Sequence, residues 1–132
     1  TEAKTILGIE INPVGHKYGI ENIKLNKIKN VELICGDVKE VVPKLNKKFD
    51  KILMPLPKSA EDFLDEALSV TKKGTIIHFY DFLHEQDIPK KAVEKIDKAC
   101  KKRKIKYKVL QTVKCGQHAP RTYRICVDFR II

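Results

Sequence analysis

Residues 5–13 read TILGIEINP, and the order of chemistry along them decides the class of fold. The run 5–11 is continuous, apolar and rich in β-branched residues, as a strand buried on both faces must be. Asn12 then offers a side-chain oxygen to free helix N–H groups, and Pro13 falls at the first helical position, where it is tolerated. A helix is expected over 14–28, with Val14, Tyr18, Leu25 and Ile28 on one face and Glu21 the polar exception. Working outward, the pattern repeats. VELIC (31–35) is a second strand closed by Gly36 and Asp37, and 38–45 has room for one short helical turn. FDKILM (49–54) is a third strand, stopped by Pro55 and Pro57, which lack a ladder donor. Ser59 is placed to cap a helix with Glu61 and Asp62 in its first turn. That helix buries Ala60, Phe63, Leu64, Ala67 and Leu68, and ends at Lys72, Lys73 and Gly74. TIIHFYDF (75–82) is a fourth strand. Asp87 opens a further helix with Pro89 early and Val93, Ile96 and Cys100 inward. Strands at 105–113 and 122–131, joined by a loop at 114–121, close the chain. Strand and helix alternating in this way, then two consecutive strands, predict an α/β sheet with an antiparallel C-terminal edge.

A chain of 132 residues has room for one domain, 1–132, with one core. Apolar residues are 42% and charged residues 33%, a globular balance with a heavily charged surface. No apolar run approaches the roughly 18–20 residues that span a bilayer, and there is no signal-peptide pattern. No membrane partner and a cytoplasmic location are therefore expected. Lys and Arg total 27 against 17 Asp and Glu, a net +10. Such a balance favours a polyanionic partner, because neutralised phosphates release counterions; a lysine-rich thermophilic surface would show it too. Cys35, Cys100, Cys115 and Cys126 form no C-x-x-C pair. Free thiols, mostly buried, and no metal site are the expectation.

Three places carry candidate chemistry. Glu10 ends a strand and opens into a helix, where doubly wound sheets bind ligands, and its carboxylate can accept both hydroxyls of a ribose. A helix-start acid satisfying the dipole has the same pattern. Asp37 ends the next strand, at the position that faces the adenine amine in nucleoside-binding folds, while Gly36 allows close approach. An Asp-containing turn is the plainer reading. Residues 54–59, MPLPKS, hold a loop in a fixed extended path suited to gripping a flat base, with Lys58 at the mouth of the next helix. A rigid linker would look alike. Seven cations crowd eleven residues, Lys98, Lys101, Lys102, Arg103, Lys104, Lys106 and Lys108. Arg121 and Arg124 form a second basic group with His118, Pro120 and Tyr123. Planar Arg and Tyr side chains stack on nucleobases, although lysines at a helix end also complement its dipole. His78 alternates away from Ile77 and Phe79 and reads as structural; His16 and His84 read as surface residues.

GIEINP, ENIKLNKIKNVELICGDVKEVVP, FDKILMPLPKSAEDFLDEAL, GTIIHFYDF and HAPRTYRICVDFRI, in this order, closely resemble the archaeal and eukaryotic tRNA (guanine-37-N1)-methyltransferases. The likeness runs through nearly the whole chain. More distantly, the chain is similar to the aminocarboxypropyl transferase of the wybutosine pathway. The resemblance implies a Rossmann-like class I methyltransferase sheet and the cofactor S-adenosylmethionine, with tRNA as partner and guanosine 37 as methyl acceptor. It implies Glu10 as the ribose-binding acid and Asp37 as the adenine-side acid, with Ile11 and Val38 beside them. Met54–Pro57 match the family's catalytic-loop motif, which makes Pro55, Leu56 and Pro57 the base-positioning loop. Lys58, Lys101, Lys102, Arg103, Lys104, Arg121, Tyr123 and Arg124 are then the RNA-binding set.

Two departures qualify the resemblance. Many members carry Asn where this chain has Pro55, which keeps methyl or aminocarboxypropyl transfer to a wyosine intermediate open as an alternative. The family's first strand, its glycine-rich loop and its general base would precede Thr1, which also leaves open a non-catalytic RNA-binding fragment. Without that central strand, the strands at 5–11 and 49–54 are expected to pair directly or to recruit another chain, by homo-oligomerisation or strand exchange. A nicotinamide oxidoreductase fits the paired acids but not MPLPKSA or HAPRTYR.

Overall fold

The computed structural model describes residues 2–56 and 58–132. The chain divides into two compact units, residues 1–46 and 47–132. In the first, β1 (Ile6–Glu10) lies parallel to β2 (Val31–Cys35), joined by helix α1 (Pro13–Leu25). Asn12 caps α1 as its chemistry predicts, accepting from the N–H groups of Val14 and Gly15, with Pro13 in the first turn. A one-turn helix, α2 (Val38–Val41), and a 3-10 turn (Val42–Lys44) follow.

The way α1 sits on its sheet corrects the helical stripe read from spacing. Val14, Tyr18 and Leu25 are 59%, 60% and 79% exposed. Glycines face the strands instead. A Cβ on Gly19 would lie 2.6 Å from one methyl of Leu33, and a Cβ on Gly8 of β1 would lie 2.5 Å from the other. Leu33 is thus held between two bare backbones. Periodicity identifies an apolar stripe; it does not reveal that absent side chains let the opposite face approach closer.

The second unit is a four-stranded sheet in the order β3 (Phe49–Met54), β4 (Thr71–His84), β6 (Thr122–Ile131), β5 (Tyr107–Ala119). β3 and β4 are parallel, and β6 runs antiparallel to β4 and to β5. The antiparallel C-terminal addition is as expected, with β6 turned inward and β5 outermost. Alternate residues of the central strands, Ile77, Phe79, Ile125, Val127 and Phe129, are fully buried. They pack against Leu64 and Leu68 of α3 (Leu64–Ser69) and against Ala92, Ile96 and Cys100 of α4 (Lys90–Lys102). Each large side chain buried there contributes about 1.5–3 kcal/mol.

Several boundaries differ from the sequence reading. The segment after β3 is a 3-10 turn (Ala60–Phe63) followed by the short α3, and Ser59 makes no side-chain cap. Lys72, Lys73 and Gly74 belong to β4, not to a helix end, and bulge from the ladder between the pairs Phe49–Thr71 and Lys51–Ile76. Gly74 takes φ +92°, the left-handed region that glycine tolerates in a bulge just as it does after a helix. A 3-10 turn (Glu85–Asp87) precedes α4, whose inward residues include Ala92. β5 continues through most of the expected loop, so the 114–121 connection shrinks to a tight turn at Pro120 and Arg121. Cys35 and Cys115 are exposed; only Cys100 and Cys126 are buried. His16 is half-buried, with Nε2 3.3 Å from the Leu33 carbonyl, and His84 is half-buried too. Among the described residues the sheet neighbour of β1 is β2, and that of β3 is β4. Among the described residues, no helix is long and apolar enough to cross a membrane.

Candidate functional site

In the first unit, parallel pairing brings the two candidate acids to one edge. Glu10 pairs with Cys35 in register, and the Gly36 N–H donates to the Glu10 carbonyl at 3.0 Å. Glu10 and Asp37 therefore leave adjacent strands at the same carboxyl end. One oxygen of each is engaged locally. Glu10 Oε1 accepts the Asn12 N–H at 2.8 Å, and Asp37 Oδ1 accepts the Lys39 N–H at 2.8 Å as the cap of α2. Oε2 of Glu10 and Oδ2 of Asp37 have no hydrogen-bond partner among the described residues. Gly15 lies under the Glu10 side chain, so a Cβ there would sit 3.3 Å from its carboxyl carbon. Ile11 is 66% exposed at the same edge, and Val38 opens α2. This edge holds two acceptors and an open apolar side chain, with a bare backbone beneath Glu10, which suits a nucleoside with vicinal hydroxyls and an exocyclic amine.

The second unit carries the other candidates. β3 ends at the buried Met54, after which Pro55 and Leu56 are exposed. Pro57 lies outside the described residues, and Lys58 is exposed. The segment beyond is tied down by Lys95 of α4, whose Nζ lies 3.1 Å from Glu61 Oε2 and 2.8 Å from Asp81 Oδ2. Burial would lower the Lys95 pKa, but hydrogen bonds to Asp81 and Glu61 outweigh it and hold the ammonium charged.

The cationic segment separates into paired and unpaired members. Arg103 makes a two-pronged contact to Asp65 of α3 at 2.8 and 2.9 Å. That hydrogen bond is the main reason the Asp65 carboxyl is held below its ordinary range. Lys102 lies 3.6 Å from the same carboxylate, and Lys101 pairs with Asp97 at 2.6 Å. Lys104, at φ +55°, and Lys106 and Lys108 make no ion pair among the described residues. At the hairpin tip, Arg121 takes φ +55° and approaches Glu85 at 3.7 Å. Arg124 is exposed opposite Phe82. Tyr123 packs against the core, and Lys114 lies 4.5 Å over its ring. Its face is thereby covered from within the chain.

Two arrangements escaped the sequence reading. His118 stacks on Phe82 with ring centroids 4.2 Å apart. On the sheet face away from α3 and α4, His78 Nδ1 lies 2.6 Å from Asp128 Oδ1, Cys126 donates to that oxygen at 3.3 Å, and Gln111 donates to Oδ2 at 2.7 Å. The two-residue alternation of β4 and β6 placed these side chains on one face; only the register placed them opposite each other.

A parallel βαβ unit with two strand-end acids in the first unit, and a sheet closed by antiparallel strands in the second, are features of the α/β class that binds nucleosides at strand ends. Residues 1–110 match the TRM5/TYW2 methyltransferase domain, and the chain belongs to that family. It is 40% identical over 130 residues to the tRNA (guanine(37)-N(1))-methyltransferase Trm5b of Pyrococcus abyssi, covering 98% of this chain and 38% of that protein. It is 28% identical to a tRNA(Phe) (4-demethylwyosine(37)-C(7)) aminocarboxypropyltransferase of Methanocaldococcus jannaschii, over 97% of this chain and 51% of that one. Among solved structures, the crystal structure of Pyrococcus abyssi Trm5b superposes with TM-score 0.88 at 40% identity, again over 98% and 38%. Methanocaldococcus jannaschii TYW2 in complex with AdoMet gives 0.85 at 28% identity, over 99% and 60%. The complex of aTrm5 and tRNALeu gives 0.83 at 34% identity, over 98% and 36%. The chain thus spans well under half the length of the Trm5b protein it matches.

Proposed function

We infer that this chain serves methyl transfer from S-adenosylmethionine to N1 of guanosine 37 in tRNA, in the cytoplasm, both units being parts of one methyltransferase domain, 1–132. Its share is the ribose and adenine half of the cofactor site and part of the tRNA surface. The observation that carries the reading is the pair of strand-end acids, Glu10 and Asp37, locked side by side by the Gly36-to-Glu10 hydrogen bond, each with one carboxylate oxygen to spare. In this reading the free oxygen of Glu10 receives the ribose hydroxyls and that of Asp37 the adenine amine, with Ile11 and Val38 against the base. When bound, the cofactor supplies an already activated methyl, so the protein's task is proximity and orientation. Pro55, Leu56 and Pro57 position the acceptor base, and Lys58, Lys101, Lys102, Lys104, Arg121 and Arg124 meet the RNA backbone. Tyr123 and Arg103, each engaged within the chain, act through the shape of that surface.

Titration calorimetry with S-adenosylmethionine, beside Glu10→Ala, tests it. The expected outcome is binding by the parent that weakens at least about tenfold in the variant, the loss of a charge-assisted hydrogen bond or two. Equal affinity in both would overturn the assignment of Glu10. A second reading, transfer of methyl or aminocarboxypropyl to a wyosine intermediate, is favoured by Pro55, which supplies no side-chain amide to a guanine. Nucleoside analysis of modified tRNA distinguishes the two. A non-catalytic RNA-binding role predicts tRNA binding with no cofactor heat.

A further inference from the structure

We propose that His78, Cys126 and Asp128 form a site for a borderline divalent transition metal of the zinc and cobalt class, bridging β4 to β6. The site is defined by geometry alone and is independent of methyl transfer. His78 and Asp128 are direct register partners on neighbouring strands, and Cys126 stands two residues before Asp128 on the same face. Their donor atoms all lie within 4.8 Å of one another. The Cys126 Sγ to Asp128 Oδ1 distance is 3.3 Å, and His78 Nδ1 to Oδ1 is 2.6 Å. A tetrahedral zinc, with bonds of about 2.0–2.3 Å, spaces such donors about 3.3–3.6 Å apart. The sulfur and oxygen are therefore already at coordination spacing. The imidazole must withdraw from Oδ1 by about 0.7 Å to reach that spacing, and the hydrogen bonds that His78 and Cys126 make to Oδ1 are exchanged for metal bonds.

The surroundings are built as a metal's surroundings are. Gln111 of β5 donates to Asp128 Oδ2 at 2.7 Å, which turns the other oxygen toward the imidazole and thiol. Supporting donors of this kind fix a ligand's orientation, and their loss typically costs 10–100-fold in affinity. All three ligands sit on strands in mid-ladder, so their backbones are rigid. The His78 side chain is 24% exposed and that of Asp128 12%, which leaves water access to a fourth position. One sulfur, one nitrogen and one oxygen select zinc, cobalt or a similar ion over magnesium or calcium, which require oxygen shells. Binding displaces the Cys126 thiol proton to solvent, leaving a thiolate on the metal. No C-x-x-C or H-x-x-x-H spacing announces the site, because its ligands come from two strands paired at a separation of fifty residues.

The test uses the 132-residue chain with the exposed thiols removed, Cys35→Ser and Cys115→Ser. Cobalt(II) is added and followed by its thiolate charge-transfer band in the near ultraviolet and its tetrahedral bands in the visible. One equivalent producing both, displaced by zinc, is the expected result. Cys126→Ser abolishes the charge-transfer band, His78→Ala weakens binding at least tenfold, and Gln111→Leu weakens it 10–100-fold. Should Cys126→Ser fail to fold by circular dichroism, Asp128→Asn, which keeps the side-chain shape, still loses at least tenfold. A chain that stays without a charge-transfer band at saturating cobalt overturns the proposal. So does a band unchanged in folded Cys126→Ser, or an affinity unchanged in Asp128→Asn.

Discussion

Lys95→Met isolates one buried charge and allows its contribution to be measured. Methionine keeps an unbranched stem of similar length and removes only the ammonium. In the parent, Lys95 is 29% exposed and Asp81 7%, at 2.8 Å, with Glu61 at 3.1 Å on the wetter side. Removing one partner of a fully buried pair costs about 3–5 kcal/mol, because the other charge is stranded. Two features lower that figure here. Water reaches the Lys95 end, and Asp81 Oδ1 keeps the Phe82 N–H at 2.9 Å. The expected loss is therefore about 2 kcal/mol, which for a unit of this size lowers the melting temperature by about 8–16 °C. Thermal and urea unfolding by circular dichroism would measure it. In a double-mutant cycle, Lys95→Met with Asp81→Leu should recover at least about 1 kcal/mol of the summed single losses. A Lys95→Met change within about 0.5 kcal/mol of the parent, or simple additivity in the cycle, would refute the claim that this ion pair is desolvated.

Two further outcomes follow from the cationic segment. Because the Arg103 hydrogen bond holds the Asp65 carboxyl below its ordinary 3.8, the pair's contribution is complete above that pH and fades as the pH falls through the lowered value. Arg103→Ala should therefore flatten the acid limb of the urea midpoint between pH 5 and pH 2, roughly the window of that linkage, and leave its slope near neutrality unchanged; an unaltered acid limb would contradict this. Lys104, Lys106 and Lys108 make no ion pair among the described residues, which leaves their charges available to phosphate. Replacing all three with Ala should reduce the slope of log K for tRNA against log salt by about 2, read by filter binding across a salt series, whereas the same slope in parent and variant would remove this segment from the RNA surface.

Composition, hydrophobic period and local chemistry determined the element order, the Asn12 cap, the whole of β2, β3 and β6, and most of the buried face of the second unit. These depend on neighbours in sequence: alternation says which residues share a face, and proline or an Asx side chain says where an element starts or stops. The strand-end positions of Glu10 and Asp37 were legible for the same reason. Tertiary structure alone decided which face of α1 meets the sheet. Contact there includes Gly19, which leaves no apolar signal, and His16, while the visible stripe of Val14, Tyr18 and Leu25 stays exposed. It also drew Lys72, Lys73 and Gly74 into the course of β4 as a bulge, because the pairs that flank them, Phe49–Thr71 and Lys51–Ile76, hold the chain against β3 on either side. It assigned Arg103 to Asp65, Tyr123 to the core and His78 to Asp128. Each of these partnerships joins residues far apart in the chain, and no local pattern specifies a contact whose other half is set by sheet register and helix packing.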